Sequence, residues 1–282
     1  MATTEATVSR RTDPVSIPRG HLVRLAEMVG GGSIFLVILQ SVLGFDLFDR
    51  DLWSSYGSIF VAGITRTLTY IALVLPLSVS VGFALGWVRV SRFRSLAWPA
   101  TVYIEFFRGV PPLVIVIFVS ILGPTLFPER FQSVELGLIL GVLAIGLHSG
   151  AFQGEIFRAG FQSVPRGQLE AALAIGMQPV PTMRYVVLPQ ALRLSLPPLS
   201  NEFAVLIKDT SLMAIIAGGD LFHLSQRFMD QSVLTGAGEL HWLFIIWTAV
   251  AVVYFAMTFT VTRLMRLLER RVHARSLEGI SI

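Results

Sequence analysis

The sequence predicts an all-α, polytopic membrane protein, and three observations carry that prediction. Hydrophobic residues make up 54% of the 282 and charged residues only 14%, with mean hydropathy +0.70; soluble domains carry roughly 25% charge. A soluble fold of this length could not cover that much apolar surface. The apolar residues also fall into stretches of about 20, the length that crosses a bilayer as a helix. Finally, most of the basic residues fall in one set of connecting segments. The same composition excludes a disordered chain. The absence of cysteine excludes a disulfide-stapled scaffold, thiolate metal sites and thiol nucleophiles.

Six spans are predicted, at Met28 to Phe45, Ile64 to Val90, Trp98 to Leu122, Leu136 to Ile156, Leu194 to Gly218 and Leu240 to Val261. The first is short and opens on Gly30-Gly31-Gly32; the second is long and contains Arg66 and Pro76. Their orientation follows from the arginines. The net charge is +4, and of 22 basic residues only Lys208 is a lysine. With the N-terminus inside, sixteen lie in the N-terminal segment, the turn after the second span, the connection between the fourth and fifth, and the tail. Only Arg50, Arg130 and Arg227 lie on the other side. This is the positive-inside asymmetry, and it places both termini in the cytoplasm. Basic residues set beside apolar segments, rather than on one continuous face, also argue against nucleic-acid binding. Arg10-Arg11 is not read as an export signal, because Thr12-Asp13-Pro14 follows and the apolar stretch starts too far downstream. The chain divides accordingly into an N-terminal extension (1–27), an added span with its outer loop (28–58), a membrane domain (59–262) and a basic tail (263–282).

The connection at 163–193 is polar but patterned. Gly167 to Ile175 is rich in helix formers, Gly176 can end that helix in a left-handed conformation, and Pro179 and Pro181 prevent its continuation. Pro189 opens the next helical stretch. An amphipathic helix lying on lipid headgroups is one reading of the segment. The small Ala171-Ala172-Leu173-Ala174 face suits docking into another protein's cleft instead.

Here the chain resembles a known family. Glu170-Ala171-Ala172, three residues, Gly176, nine residues, Val186, one residue and Leu188-Pro189 fit the EAA loop of ABC-importer permeases, with Val in place of Ile. Three flanking stretches are similar to the polar amino-acid uptake subfamily (the His/Glu/Gln/Arg/opine type). They are Glu105-Phe-Phe-Arg-Gly-Val-Pro-Pro-Leu113, Glu155-Ile-Phe-Arg-Ala-Gly160 with Ser163-Val-Pro-Arg-Gly167, and Lys208-Asp-Thr-Ser-Leu212. The likeness covers about residues 60 to 272, leaving the first 58 outside.

The resemblance implies a five-helix importer core with one added N-terminal helix, in a bacterial inner membrane. It implies a transport subunit, not an enzyme, that works by alternating access. Its partners would be a cytoplasmic ABC ATPase dimer, a second permease subunit of the same or a related chain, a soluble binding protein and a polar amino acid. Glu170, Ala171, Ala172, Gly176, Leu188 and Pro189 would couple the chain to the ATPase. The chain has no G-x4-G-K-S/T phosphate loop, so ATP and magnesium would be bound by that partner.

Ionisable groups at membrane depth are costly and mark paths or pairs. Arg108, Glu155, Asn201, Glu202, Lys208 and Asp209 are the candidates for a substrate path. Glu105 with Arg108, and Glu155 with Arg158, are three apart and could instead pair at the interface. Asn201 with Lys208, and Glu202 with Asp209, are seven apart and so share a helix face; alternatively the helix breaks after Leu206. His148, beside Ser149 and Gly150, reads as a packing residue. Two other function classes have signatures of their own. An ion-coupled secondary transporter should show an inverted internal repeat, and none is visible. An intramembrane enzyme should show a motif such as His-Glu-x-x-His or Gly-x-Ser-x-Gly, and neither occurs. No catalytic or metal-ligating constellation emerges.

Overall fold

A computed structural model describes residues 46–91, 94–236 and 240–278, together with Gly30, Gln40 and Ser41. The chain separates into two compact units, 1–49 and 50–282. In the first, Asp46 organises a turn: its carboxylate accepts from the Phe48 N–H at 2.9 Å and its carbonyl from the Asp49 N–H at 3.1 Å. The expected span at Met28 to Phe45 lies outside the described residues, apart from Gly30, Gln40 and Ser41.

The second unit opens with α1 (Arg50–Val90), a helix of 41 residues, about 61 Å long. That is twice a hydrocarbon core of about 30 Å. It begins fourteen residues earlier than expected, in place of an outer loop. Its buried residues include Tyr56, Gly63, Thr67, Tyr70, Val74, Ser78, Gly82 and Gly86, spaced three, four or seven apart along one face. The C-terminal half of this face packs on α4 (Val134–Gln162), which Ser133 caps by accepting from the Leu136 N–H at 3.2 Å, while Tyr56, Gly63 and Thr67 meet Ser225 and Leu221. Glycines on both helices bring the backbones together. A Cβ at Gly82 would lie 2.5 Å from Gln153 Cβ and 3.0 Å from the Gly150 carbonyl. In return Leu77, Val81 and Leu85 sit over Gly146, Gly150 and Gly154. Small residues at such seams let membrane helices meet closely. Gly82→Val is therefore expected to cost about 1–3 kcal/mol by overpacking, lowering the thermal midpoint of the purified protein; an unchanged midpoint would mean that the seam can open.

The expected continuous span at Trp98 to Leu122 is instead broken into α2 (Arg94–Gly109) and α3 (Pro112–Ile117), and the chain bends by 105° between α2 and the run Pro112–Leu126. Pro111 takes an extended ψ of 138° and offers no N–H to continue α2. Beyond α3 the chain widens into a π turn (Phe118–Leu122) and then tightens into a 3-10 turn (Gly123–Leu126).

After α4 come α5 (Arg166–Ala174) and α6 (Pro179–Thr182). A wide π turn (Met183–Val187) leads without a gap into α7 (Leu188–Asp209). Helix thus resumes at Pro179, ten residues before the proline expected to open it. A proline at the first helical position gives up an N–H that would be unpaired anyway. A 3-10 segment (Thr210–Ile216) and a turn with positive φ at Ala217 and Gly219 precede α8 (Leu221–Thr235), and α9 (Leu240–Glu278) completes the unit. α9 carries the basic tail onward as helix past Val261.

Among the described residues, three helices are long and apolar enough to span a membrane: Arg50–Val90, Val134–Gln162 and the stretch His241–Val272 of α9. The bent α2–α3 pair makes a fourth if counted as one. α7 is not among them, because two internal prolines and Arg193, Glu202, Lys208 and Asp209 lower its apolarity. Two buried clusters join the helices: Tyr70, Val74, Ile115, Ile145, Leu206 and Met213 in one, and Phe157, Phe161, Val187, Leu199 and Phe203 in the other. α1 and α4 form the central pair, with α7 against α4.

Candidate functional site

Two places gather the residues singled out from the sequence. The first is the α5 segment. α5 closes in a paired hydrogen-bond pattern: the Met177 N–H donates to the Ala172 carbonyl at 3.1 Å and the Gly176 N–H to the Leu173 carbonyl at 3.0 Å. That closure requires a left-handed residue, and Gly176 supplies it with φ +85°. Glu170, Ala171 and Gly176 are exposed, whereas Ala172 is buried. Leu173 turns with Leu169 into an apolar groove of about 740 Å³, shared with Trp87, Val180, Met183 and Leu188. The small face proposed for docking is thus narrower than four residues: Ala172 serves this chain's own packing, and Ala171, Leu173 and Ala174 remain exposed. Leu188 and Pro189 are half-buried in the first turn of α7.

The second place is a cleft of about 380 Å³ between α2, α4 and α7. Arg108, Phe152, Glu155, Leu194, Pro198 and Glu202 line it. Three of the six candidate path residues, far apart in sequence, therefore meet at one cleft. Asn201 and Asp209 do not line it. Lys208 lines a separate groove against Phe255, Phe259 and Arg266 of α9. The seven-residue spacing does hold: Asn201 and Lys208 are both exposed, and Glu202 and Asp209 are both half-buried. α7 also runs unbroken through Lys208 and Asp209, tightening to 3-10 only from Thr210.

The three charges in the cleft differ in their partners. Arg158 grips both oxygens of Glu155, one of them (Oε2) through Nε at 2.9 Å, and Arg89 of α1 pairs with that same oxygen. Arg108 is three residues from Glu105 but forms no ion pair with it; its guanidinium lies over the Phe152 ring, 5.8 Å from the centroid. Such a contact stabilises a cation while leaving its edge donors free. Glu202 accepts from the Ser149 hydroxyl at 2.9 Å. No ion pair reaches Glu202 or Arg108 among the described residues. His148 is buried between Phe107 and Phe152, as a packing residue should be.

Sequence reasoning missed a polar chain behind Glu202. Gln153 donates to Ser149 Oγ at 3.1 Å and to Ser78 Oγ at 2.8 Å. An amide four residues after Ser149 in the same predicted span was the available signal. Arg89 was read only as a topological charge.

Comparison with known proteins decides what kind of chain carries this cleft. Residues 78–274 match the family described as the binding-protein-dependent transport system inner membrane component. The chain belongs to that family. It is 34% identical to the L-cystine transport system permease protein of Bacillus subtilis, over 83% of this chain and 93% of the relative. It is also 34% identical to the glutamine transport system permease protein of Escherichia coli, over 76% and 93%. In structure it is similar to an amino acid ABC transporter crystallised with histidines, with a TM-score of 0.64 and 31% identity over 79% of this chain and 98% of that one. An inward-facing methionine ABC transporter, at 16% identity and a TM-score of 0.57, shares the fold. This binding-protein-dependent inner membrane component is therefore a multi-pass ABC permease related to amino-acid permeases, and its relatives are transport subunits, not catalytic ones.

Proposed function

We propose that the chain is the permease subunit of an ATP-driven importer of a polar amino acid. The observation that carries this reading is the cleft. A free amino acid presents an ammonium and a carboxylate, and the cleft offers one carboxylate, Glu202, and one guanidinium, Arg108, neither held by an ion-pair partner among the described residues. Glu155 is assigned a structural role instead, because two arginines already neutralise it and tie α1 to α4. Asn201, Lys208 and Asp209 keep a place on the path only outside this cleft, on the remaining faces of α7.

Coupling is assigned to the exposed surface of α5, through Glu170, Ala171 and Gly176. Ala172, Leu188 and Pro189 hold that surface on the membrane unit. A cytoplasmic ATPase dimer binding ATP and magnesium would dock there and drive alternating access. A second permease subunit and a soluble binding protein complete the assembly, in a bacterial inner membrane with both termini inside. The test is uptake into proteoliposomes containing the permease, its co-expressed ATPase and the binding protein. Accumulation of a polar amino acid should require internal ATP and persist after ion gradients are collapsed. Uptake by the permease alone on an ion gradient would favour a secondary transporter.

The orientation has its own test, helped by a native chain without cysteine. Cysteine placed at exposed Ser54 should react with an impermeant thiol reagent from outside, and cysteine at exposed Ser163 should not. Labelling of Ser163→Cys from outside would invert the assignment.

A further inference from the structure

We propose that Gln153 is a positioning residue for substrate recognition: buried between α1 and α4, it fixes Ser149 as the hydrogen-bond donor that holds the Glu202 carboxylate at the cleft. The inference rests on the reading of Glu202 as the group that meets the substrate's ammonium.

The geometry is directional. Gln153 and Ser78 are fully buried and Ser149 is 1% exposed, so water does not share these bonds. The Gln153 amide nitrogen carries two hydrogens. One goes to Ser78 Oγ and the other to Ser149 Oγ. Each serine hydroxyl has one hydrogen and two lone pairs. Ser78 gives its hydrogen to the Leu75 carbonyl at 2.9 Å, and Ser149 gives its hydrogen to Glu202 Oε1 at 2.9 Å. Every hydrogen in the chain is used.

Turning the amide over would bring its oxygen to both hydroxyls. Ser149 would then be drawn to donate to Gln153, and Glu202 would lose its donor. Serines in helices otherwise bond back to the carbonyl four residues earlier; Ser149 does not, because Gln153 occupies its acceptor side while Glu202 takes its hydrogen. The arrangement leaves Gln153 Oε1 buried without a partner. A buried orphan oxygen is destabilising, so packing alone does not favour an amide here. Its contribution is to impose one direction on a chain that crosses from α1 through α4 to α7.

The experiment measures KM and kcat of uptake by the complete transporter in proteoliposomes. Gln153→Met keeps the length and removes both donors. It should raise KM for the transported amino acid about 3–10-fold, the range one neutral hydrogen bond supports, with kcat and basal ATP hydrolysis little changed. Ser149→Ala should raise KM by a similar factor. The double variant should be no worse than either alone, because both break the same link. Gln153→Glu, an isosteric acceptor, should raise KM further by pulling the Ser149 hydrogen away and adding a like charge near Glu202. In a Glu202→Gln background, Gln153→Met should have no further effect on KM.

KM effects of Gln153→Met and Ser149→Ala that multiply would overturn the proposal. So would a Gln153→Met transporter with lowered thermal stability and unchanged KM. If Gln153→Met does not assemble, unchanged KM in both Ser149→Ala and Gln153→Glu overturns it equally. Should Glu202→Gln itself leave KM unchanged, the substrate role of Glu202 falls first, which separates that failure from failure of the link.

Discussion

An aspartate at position 176 is expected to abolish uptake while leaving the chain inserted and folded. Gly176 sits at φ +85°, and a Cβ built there meets nothing within 4 Å of this chain. The intramolecular cost is therefore only the left-handed conformation, about 1–2 kcal/mol for most residues and less for aspartate. The new carboxylate would instead meet whatever docks on α5. Hot-spot positions at protein interfaces are worth about 2–4 kcal/mol, or on the order of 30- to 1,000-fold in affinity. Co-purification of the ATPase and ATP-dependent uptake should both collapse, while membrane abundance stays near the unsubstituted level. Gly176→Ala, with strain but no charge, should fall between the two. Normal transport by Gly176→Asp with the ATPase still bound would remove this segment from coupling.

Glu202→Gln should have the next largest effect, and it falls on substrate instead of on the ATPase. A charge-assisted hydrogen bond contributes about 1.5–3 kcal/mol, so KM should rise about 10- to 100-fold. Basal ATP hydrolysis by the assembled transporter should persist, since α5 is untouched. Thermal stability should change little, because among the described residues no cation is paired with Glu202 and none would be left stranded. The amide oxygen that the Glu202→Gln variant carries can still accept from Ser149. The same substitution at Glu155 should behave in the opposite way, lowering stability by freeing Arg89 and Arg158. Unchanged uptake kinetics in a stable Glu202→Gln complex would exclude it from the path.

Much of this protein was legible in one dimension. Apolar content and length specify membrane helices because a bilayer imposes one length scale and one backbone solution. The left-handed Gly176 was legible because the conformation is local, set by one residue and its neighbours. The EAA spacing and the KDTSL, EFFRG and EIFRAG stretches pointed to the family that comparison then established.

What the sequence left open is long-range. The i, i+3 spacing is the same in Glu105–Arg108 and Glu155–Arg158, yet only the second is an ion pair. The difference is that Arg89 arrives from α1 to share Glu155, while Phe152 arrives from α4 to cover Arg108. Periodicity placed Glu202 and Asp209 on one face but could not say that only Glu202 lines the cleft. It gave no hint that Ser78, Gln153, Ser149 and Glu202, on three helices, form one chain. Sequence alone determined that this is a helical membrane permease with a left-handed turn at Gly176, because hydropathy and turn chemistry are properties of neighbouring residues. Only the tertiary structure decided which of these charges are already paired, because that depends on the close approach of α1 and α4, set by glycines facing bulky side chains across more than sixty residues of chain.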